Sequence, residues 1–272
     1  MAAAFPLSGA VCVLTGAGSG IGAATAQALA AKGCNLALCD VNEAGLARTV
    51  EAARTKGVTV TSYKLDVSNA EAVAELPAQV LADHGQVSVL INNAGVALFG
   101  RFDEMTLADF DWVMGVNLNG VVRMTHAFLP LLKAEPTAHI VNISSIFGVI
   151  APPGQTAYCA SKFAVRGFSE SLRHELARSS VSLTVVHPGG VKTQIAANAR
   201  VAQGAVLGDP EERRERLDKF LSLSPDIAAA DIVRAIERRA PRLLIGKDAR
   251  QMALIQRLFP VTYWRKLAKA MS

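Results

Sequence analysis

Ala10-Val11-Cys12-Val13-Leu14-Thr15-Gly16-Ala17-Gly18-Ser19-Gly20-Ile21-Gly22 is the stretch that decides the fold. A short apolar run ends in a turn of alternating glycines, and an alanine-rich segment to Lys32 follows, which reads as strand, glycine turn, helix. Glycine tolerates left-handed dihedrals and lets backbone approach a ligand closely. The new helix offers its free N–H groups and positive dipole end, so a phosphate suits the turn and a pyrophosphate suits it best. After Gly33 a second buried run, Cys34 to Cys39, closes on Asp40. That places a carboxylate about 20 residues past the glycines, where it can accept hydrogen bonds from the hydroxyls of an adenosine ribose.

Outward from this unit the pattern repeats. Helices are predicted over 43–56, 70–84, 106–116, 120–134, 155–178 and 226–239, with strands over 58–64, 87–92, 138–144, 181–187 and 242–246. Apolar strands alternating with helices imply an α/β fold, a Rossmann-like doubly wound parallel sheet with helices on both faces of a single domain. Ligands on such sheets bind beyond the carboxyl ends of the strands. Asp66, Asn92-Asn93-Ala94-Gly95, Ser144-Ser145 and Pro188-Gly189-Gly190 all fall at those ends. Residues 1–246 are read as the nucleotide-binding domain, and residues 247–272 as a basic C-terminal extension. Within the domain, residues 194–222 interrupt the alternation with an alanine-rich half, a Gly208-Asp209-Pro210 turn and a charged run from Glu211 to Lys219. An insertion directly after a ligand-binding edge is read as a mobile lid.

The 272 residues are 51% hydrophobic but only 6% aromatic, a balance that suits aliphatic helices packed on a buried sheet. The amino terminus lacks a basic start and a long apolar run, and no window offers about 20 uninterrupted apolar residues. A soluble, cytoplasmic protein is expected. Cys12, Cys34, Cys39 and Cys159 lack metal-site spacing and read as reduced, structural thiols, so no metal is expected. The net charge of +5 is uneven: Arg234 to Ser272 carries +8 and the remainder −3. A basic tail can meet nucleic acid or an anionic membrane, or simply form a solvated helical face. Trp264 and Phe259 among Arg265, Lys266 and Lys269 favour peripheral membrane contact or a cover for the pocket, and nucleic acid is not expected.

Tyr158 and Lys162 stand four residues apart on a predicted helix, hence on one face. A tyrosine titrates near ~10, so acting as a base at neutrality requires a shift of roughly three units, or about 4 kcal/mol. A cation ~4 Å away supplies about that much at an effective dielectric of ~20. The pair is therefore a proton-transfer device wherever something presents a hydroxyl to it.

Taken together, these residues resemble the short-chain dehydrogenase/reductase family over about 8–246. Thr15 to Gly22 resembles its cofactor motif, Asn92-Asn93-Ala94-Gly95 its fourth-strand motif, and Tyr158 with Lys162 its Tyr-x-x-x-Lys signature. Ser145, thirteen residues before Tyr158, and Asn117 match the remaining catalytic positions, with Ser144 an alternative to Ser145. The resemblance implies Tyr158 as general acid/base, Lys162 lowering its pKa and holding the nicotinamide ribose, Ser145 at the substrate oxygen, and Asn117 holding a water in a proton relay. It implies cofactor contacts from Gly16, Ser19, Gly20, Ile21 and Gly22, from Asp40, Asp66 and Val67, and from Asn93, Ala94 and Gly95. Pro188, Gly189, Val191 and Thr193 complete that set. It also implies a homodimer or homotetramer. The pocket should be lined by residues following these motifs: Val96, Leu98, Phe99, Ser145, Ile146, Phe147, Val149, Pro152 and Gly190. That apolar set favours a lipophilic secondary alcohol or ketone.

Asp40 repels a 2′-phosphate, Val41 follows it and Ser19 occupies the loop, so NAD is expected over NADP; Arg48 is the residue that would speak for NADP. Asp40 capping the next helix is compatible with this, since Asn42 can do the same. Two other readings stand beside the NAD-dependent oxidoreductase. One is an NADPH-dependent carbonyl or 3-oxoacyl reductase, with Arg213, Arg214 and Arg216 meeting a phosphopantetheine carrier. The other is an NAD-sensing scaffold without turnover, which the intact Asn, Ser, Tyr and Lys set argues against.

Overall fold

A computed structural model describes residues 4–205 and 220–271, so the centre of the expected lid, with Arg213, Arg214 and Arg216, lies outside the described residues. Seven parallel strands form the main sheet: β1 (Val11–Thr15), β2 (Asn35–Asp40), β3 (Val60–Lys64), β4 (Val89–Asn92), β6 (Ala138–Ile143), β7 (Val181–Pro188) and β9 (Arg242–Ile245). Their order is β3-β2-β1-β4-β6-β7-β9. Two short strands, β5 (Leu98–Phe99) and β8 (Arg200–Val201), pair separately, in parallel. The helices are α1 (Gly20–Ala30), α2 (Glu43–Arg54), α3 (Ala70–His84), α4 (Leu107–Met114), α5 (Gly120–Ala134), α6 (Thr156–Glu175) and α7 (Gln194–Ala197). They continue with α8 (Pro225–Glu237), α9 (Lys247–Leu258) and α10 (Tyr263–Met271).

Strand order reverses between β1 and β4, where Leu14 sits opposite Ile91. The sheet is covered on both sides because its strands bury both. Along β1, Cys12 and Leu14 enter the layer with Leu29 of α1 and Ile232 of α8. Val13 points the other way, to Val73 and Leu76 of α3 and Met124 and Phe128 of α5. All four cysteines are buried and free.

The expected break between two helices near residue 118 is instead a π-helical turn, Gly115–Asn119, that joins α4 to α5. Such a turn widens the helix and re-aims a side chain, and here the buried Asn117 is the one turned inward. The C-terminal extension folds back on the body. Leu267 and Ala249 are buried with Ile146, Val149 and Ile150, and the Tyr263 hydroxyl accepts the Ala151 N–H at 3.0 Å. No helix among the described residues is long and apolar enough to cross a membrane.

Candidate active site

The glycine turn is held by the ends of its neighbouring strands. Thr15 Oγ1 accepts the N–H groups of Asn93 and Ala94, both at 3.1 Å, while Asn93 Nδ2 donates to the carbonyls of Thr15 and Gly16, both at 3.0 Å. Gly16 needs its glycine on two counts: φ is +67°, and a Cβ there would lie 2.8 Å from Ala94 Cα. Ser19 caps α1 with extended backbone but no side-chain hydrogen bond, leaving the first N–H groups of the helix available. Asp40 accepts from Gly18 N at 2.7 Å and Asn42 N at 2.8 Å, which fixes its carboxylate beside the turn. Thr193 lies across from Gly20, where an added Cβ would meet its Cβ at 3.1 Å. An uncapped helix terminus, a cradle closed to any side chain and a carboxylate at its rim fit the pyrophosphate and ribose of a dinucleotide.

A second group sits past β6. Ser144 Oγ donates to the Lys162 carbonyl at 2.8 Å and is committed to structure. Ser145 Oγ accepts the Phe147 N–H at 3.1 Å, which leaves its own proton to donate. The Ser145 carbonyl is in turn bonded by His187 Nδ1 at 2.9 Å. Burial holds His187 down near 4, hence neutral, with Nδ1 the donor to that carbonyl. Tyr158 is half-buried and packs edge-on to Phe147, ring centroids 6.2 Å apart. Lys162 Nζ donates to the Ile143 carbonyl at 3.0 Å and lies 5.6 Å from the Tyr158 ring centroid. Beneath them runs a buried polar chain: Asn92 Nδ2 donates to Thr125 Oγ1 and Asn142 Oδ1, Asn142 Nδ2 to Ser169 Oγ, and Ser169 Oγ to the Val165 carbonyl. It ties β4, β6, α5 and α6 together under the site.

Both groups open onto one cleft of about 680 Å³. Residues 10–204 match the family model described as short chain dehydrogenase. The chain belongs to the short-chain dehydrogenase/reductase family.

This short-chain dehydrogenase is 46% identical over 263 residues to a Mycobacterium tuberculosis protein carrying the name oxidoreductase SadH, covering 96% of this chain and 94% of that one. It is 35% identical over 187 residues to the 3-oxoacyl-[acyl-carrier-protein] reductase FabG of Thermotoga maritima, covering 69% of this chain and 76% of that one. Among solved structures, a Burkholderia phymatum short chain dehydrogenase/reductase in complex with NAD superposes with a TM-score of 0.86 at 33% identity. That match covers 93% of this chain and 95% of the other.

Of the residues singled out in the sequence, Gly16, Ser19, Gly20, Ile21, Asp40, Asp66, Val67, Asn93, Ala94 and Gly95 line the cleft. So do Val96, Phe99, Ser145, Ile146, Phe147, Pro152, Tyr158, Lys162, Pro188, Gly189, Val191 and Thr193. Gly22 does not: it faces inward, where a Cβ would strike the Gly16 carbonyl and come within 2.6 Å of Asn93 Nδ2, so its smallness seats α1 against the turn. Gly190 is also outside the lining, because it is pressed on the Phe220 carbonyl while its N–H is held by Asp248 at 2.7 Å. Leu98 and Val149 are buried away from the cleft. Asn117 stands behind it: Oδ1 accepts from Val96 N at 2.8 Å, and Nδ2 donates to the Val96 carbonyl and Ser161 Oγ, so its side chain clamps the strand-end loop.

One electrostatic expectation is corrected. Burial, not the ammonium, dominates the pair: it pushes the Tyr158 phenol up to about 12, against a smaller lowering by the neighbouring Ser145 hydroxyl, and pulls Lys162 down to about 8. Sequence reasoning missed Trp112, Gln155, Asn198 and Leu221 in the lining, and Asp248 behind it. Trp112 reaches the cleft from α4 with the Arg200 guanidinium 3.6 Å over its ring, and Phe220 stacks on Phe147. Asn198, Phe220 and Leu221 come from the two described ends of the segment 194–222, whose sequence carries no periodic signal.

Proposed function

We propose that this protein is an NAD-dependent oxidoreductase interconverting a secondary alcohol and a ketone on a lipophilic substrate, with Tyr158 as the general acid/base. The observation that supports it is one cleft whose lining carries Asp40 and the glycine turn together with Ser145, Tyr158, Lys162 and an apolar wall of Val96, Phe99, Trp112 and Phe147. NAD, when bound, supplies the hydride acceptor. The chain's own residues handle the proton. Ser145, with its oxygen already accepting from Phe147 N, donates its hydrogen to the substrate oxygen. Tyr158, held as a neutral phenol by desolvation, donates its proton to a nascent alkoxide in ketone reduction; in the reverse direction it is the phenolate, held by Lys162, that takes the alcohol proton. Lys162 uses one N–H on the Ile143 carbonyl and has two left for ribose hydroxyls and for stabilising phenolate. The Asp40 carboxylate at the rim favours a ribose diol over a 2′-phosphate, and Arg48 does not line the cleft.

The test is reduction of NAD, with NADP in parallel, across a panel of lipophilic and polar secondary alcohols. Turnover is expected with NAD on lipophilic members, and Tyr158→Phe should lower kcat by roughly 10²–10⁴-fold while binding cofactor. Tight cofactor binding with no turnover in either direction would transfer support to the sensor reading. The second oxidoreductase reading, an NADPH-dependent 3-oxoacyl reductase, draws support from the resemblance to the Thermotoga maritima reductase, and faster NADPH oxidation by a 3-oxoacyl thioester would favour it.

Two further parts of the proposal concern surfaces. Exposed Leu254, Leu258, Phe259 and Val261 lie near Arg250, Arg257, Arg265 and Lys266, which supports contact of the C-terminal extension with an anionic bilayer; co-sedimentation with anionic vesicles tests it. Exposed Leu107, Val122 and Phe163 on α4, α5 and α6 support self-association, to be read by analytical ultracentrifugation.

A further inference from the structure

Gln155 is the residue of the cleft that its apolar wall does not explain. It stands just before the first turn of α6, three residues from Tyr158, and lines the cleft while only 7% exposed. Its main-chain carbonyl is used, accepting Cys159 N at 2.8 Å. Its side-chain amide caps nothing and has no hydrogen-bond partner among the described residues. An amide offers a carbonyl acceptor and two N–H donors, and a substrate that covers it without pairing them leaves these groups unpaired at a cost.

From this we infer that Gln155 recognises a second oxygen of the substrate, a hydroxyl or carbonyl one or two carbons from the carbon that is oxidised. The inference rests on the reaction proposed above and narrows its substrate class. Residues three apart at the start of a helix carry their Cβ atoms about 5–6 Å from each other, so amide and phenol can address neighbouring oxygens of one molecule. The substrate is then a lipophilic chain bearing a 1,2- or 1,3-dioxygenated end, such as a vicinal diol, an acyloin or a 3-hydroxy ester. A monofunctional alcohol of the same length fills the apolar wall equally well but strands the amide. A site built to hydrogen-bond a substrate oxygen discriminates strongly against the analogue that lacks it.

The experiment compares kcat/KM for 2-octanol, 2,3-octanediol and methyl 3-hydroxyoctanoate in the wild type and in Gln155→Met, which keeps length and loses the amide. At least one dioxygenated substrate should be preferred by tenfold or more in the wild type, and the substitution should lower its kcat/KM at least tenfold more than that of 2-octanol. A wild-type ratio near one, or an equal loss on all three, overturns the inference and leaves the dehydrogenase reading standing. If Gln155→Met does not fold, the wild-type ratio decides alone. If none of the alcohols turns over, the dehydrogenase reading is what fails first. The same recognition is then read without chemistry, as the thermal upshift given by methyl 3-oxooctanoate against 2-octanone in the presence of oxidised NAD. A larger upshift with the oxo-ester supports the role of Gln155, and equal upshifts end it.

Discussion

Asp40 shows how much a single side chain can decide. Its two oxygens are fixed by Gly18 N and Asn42 N, so the negative charge cannot swing away from whatever occupies the ribose end. Replacing it by serine removes the repulsion towards a 2′-phosphate, and the ratio of kcat/KM for NADP to that for NAD should rise at least tenfold; an unchanged ratio would place cofactor choice elsewhere. Lys162 offers a test of burial. Its ammonium titrates near 8 in the folded chain against an unfolded value near 10.4, so between those limits the unfolded chain holds the extra proton and stability rises with pH. Below about 8 the folded protein carries a buried charge at a cost of roughly 3 kcal/mol. Buried thiols such as Cys34, raised to about 12, work in the opposite sense above their unfolded pKa, so the lysine must be isolated by difference. Denaturation of wild type and Lys162→Met, repeated from pH 7 to 10, should show the wild type gaining on the variant as pH rises; a flat difference would mean the ammonium is well solvated.

Elements meet here through positions that tolerate no side chain. Gly22 lets α1 start directly against the glycine turn, and an alanine there collides with the Gly16 carbonyl and crowds Asn93 Nδ2. Overpacking at such a point costs about 1–3 kcal/mol, so Gly22→Ala should lose about 5 °C in Tm and weaken cofactor affinity. A variant that melts like wild type would show that the turn can yield. The π-helical turn between α4 and α5 belongs to the same scale. Two separate helices are the natural reading of Gly115 and Gly120, whereas the chain keeps one continuous rod and turns Asn117 onto the loop at Val96. Local propensity does not contain that choice, because it is made by a partner 21 residues away.

For the molecule as a whole, the C-terminal extension acts as a buttress. Leu267 is 4% exposed against the segment Ile146 to Ile150, and Asp248 holds the turn after β7 through Gly190. Leu267→Ala removes a buried aliphatic side chain, for which about 2–5 kcal/mol is usual. A lower Tm and a raised KM for lipophilic substrate are expected, since Phe147 rests on the same cluster. Unchanged values for both would show that α10 rides on the surface.

The main elements and the residues at the strand ends were legible from the chain because their signals are local. Apolar runs with both faces buried, glycines at a turn, and Tyr158 and Lys162 one helical turn apart are properties of neighbouring residues. Family resemblance is read from those same residues. What tertiary structure decided is which side chains face the cleft and in what electrostatic state. Ser145 rather than Ser144 is free to donate, because Ser144 is spent on the Lys162 carbonyl. Gly190 is taken out of the pocket by Phe220 and Asp248, and Trp112 and Gln155 are brought in. The Tyr158–Lys162 pair is ruled by desolvation rather than by mutual attraction. The reason is common to all of these: burial and hydrogen-bond partners depend on segments distant in sequence.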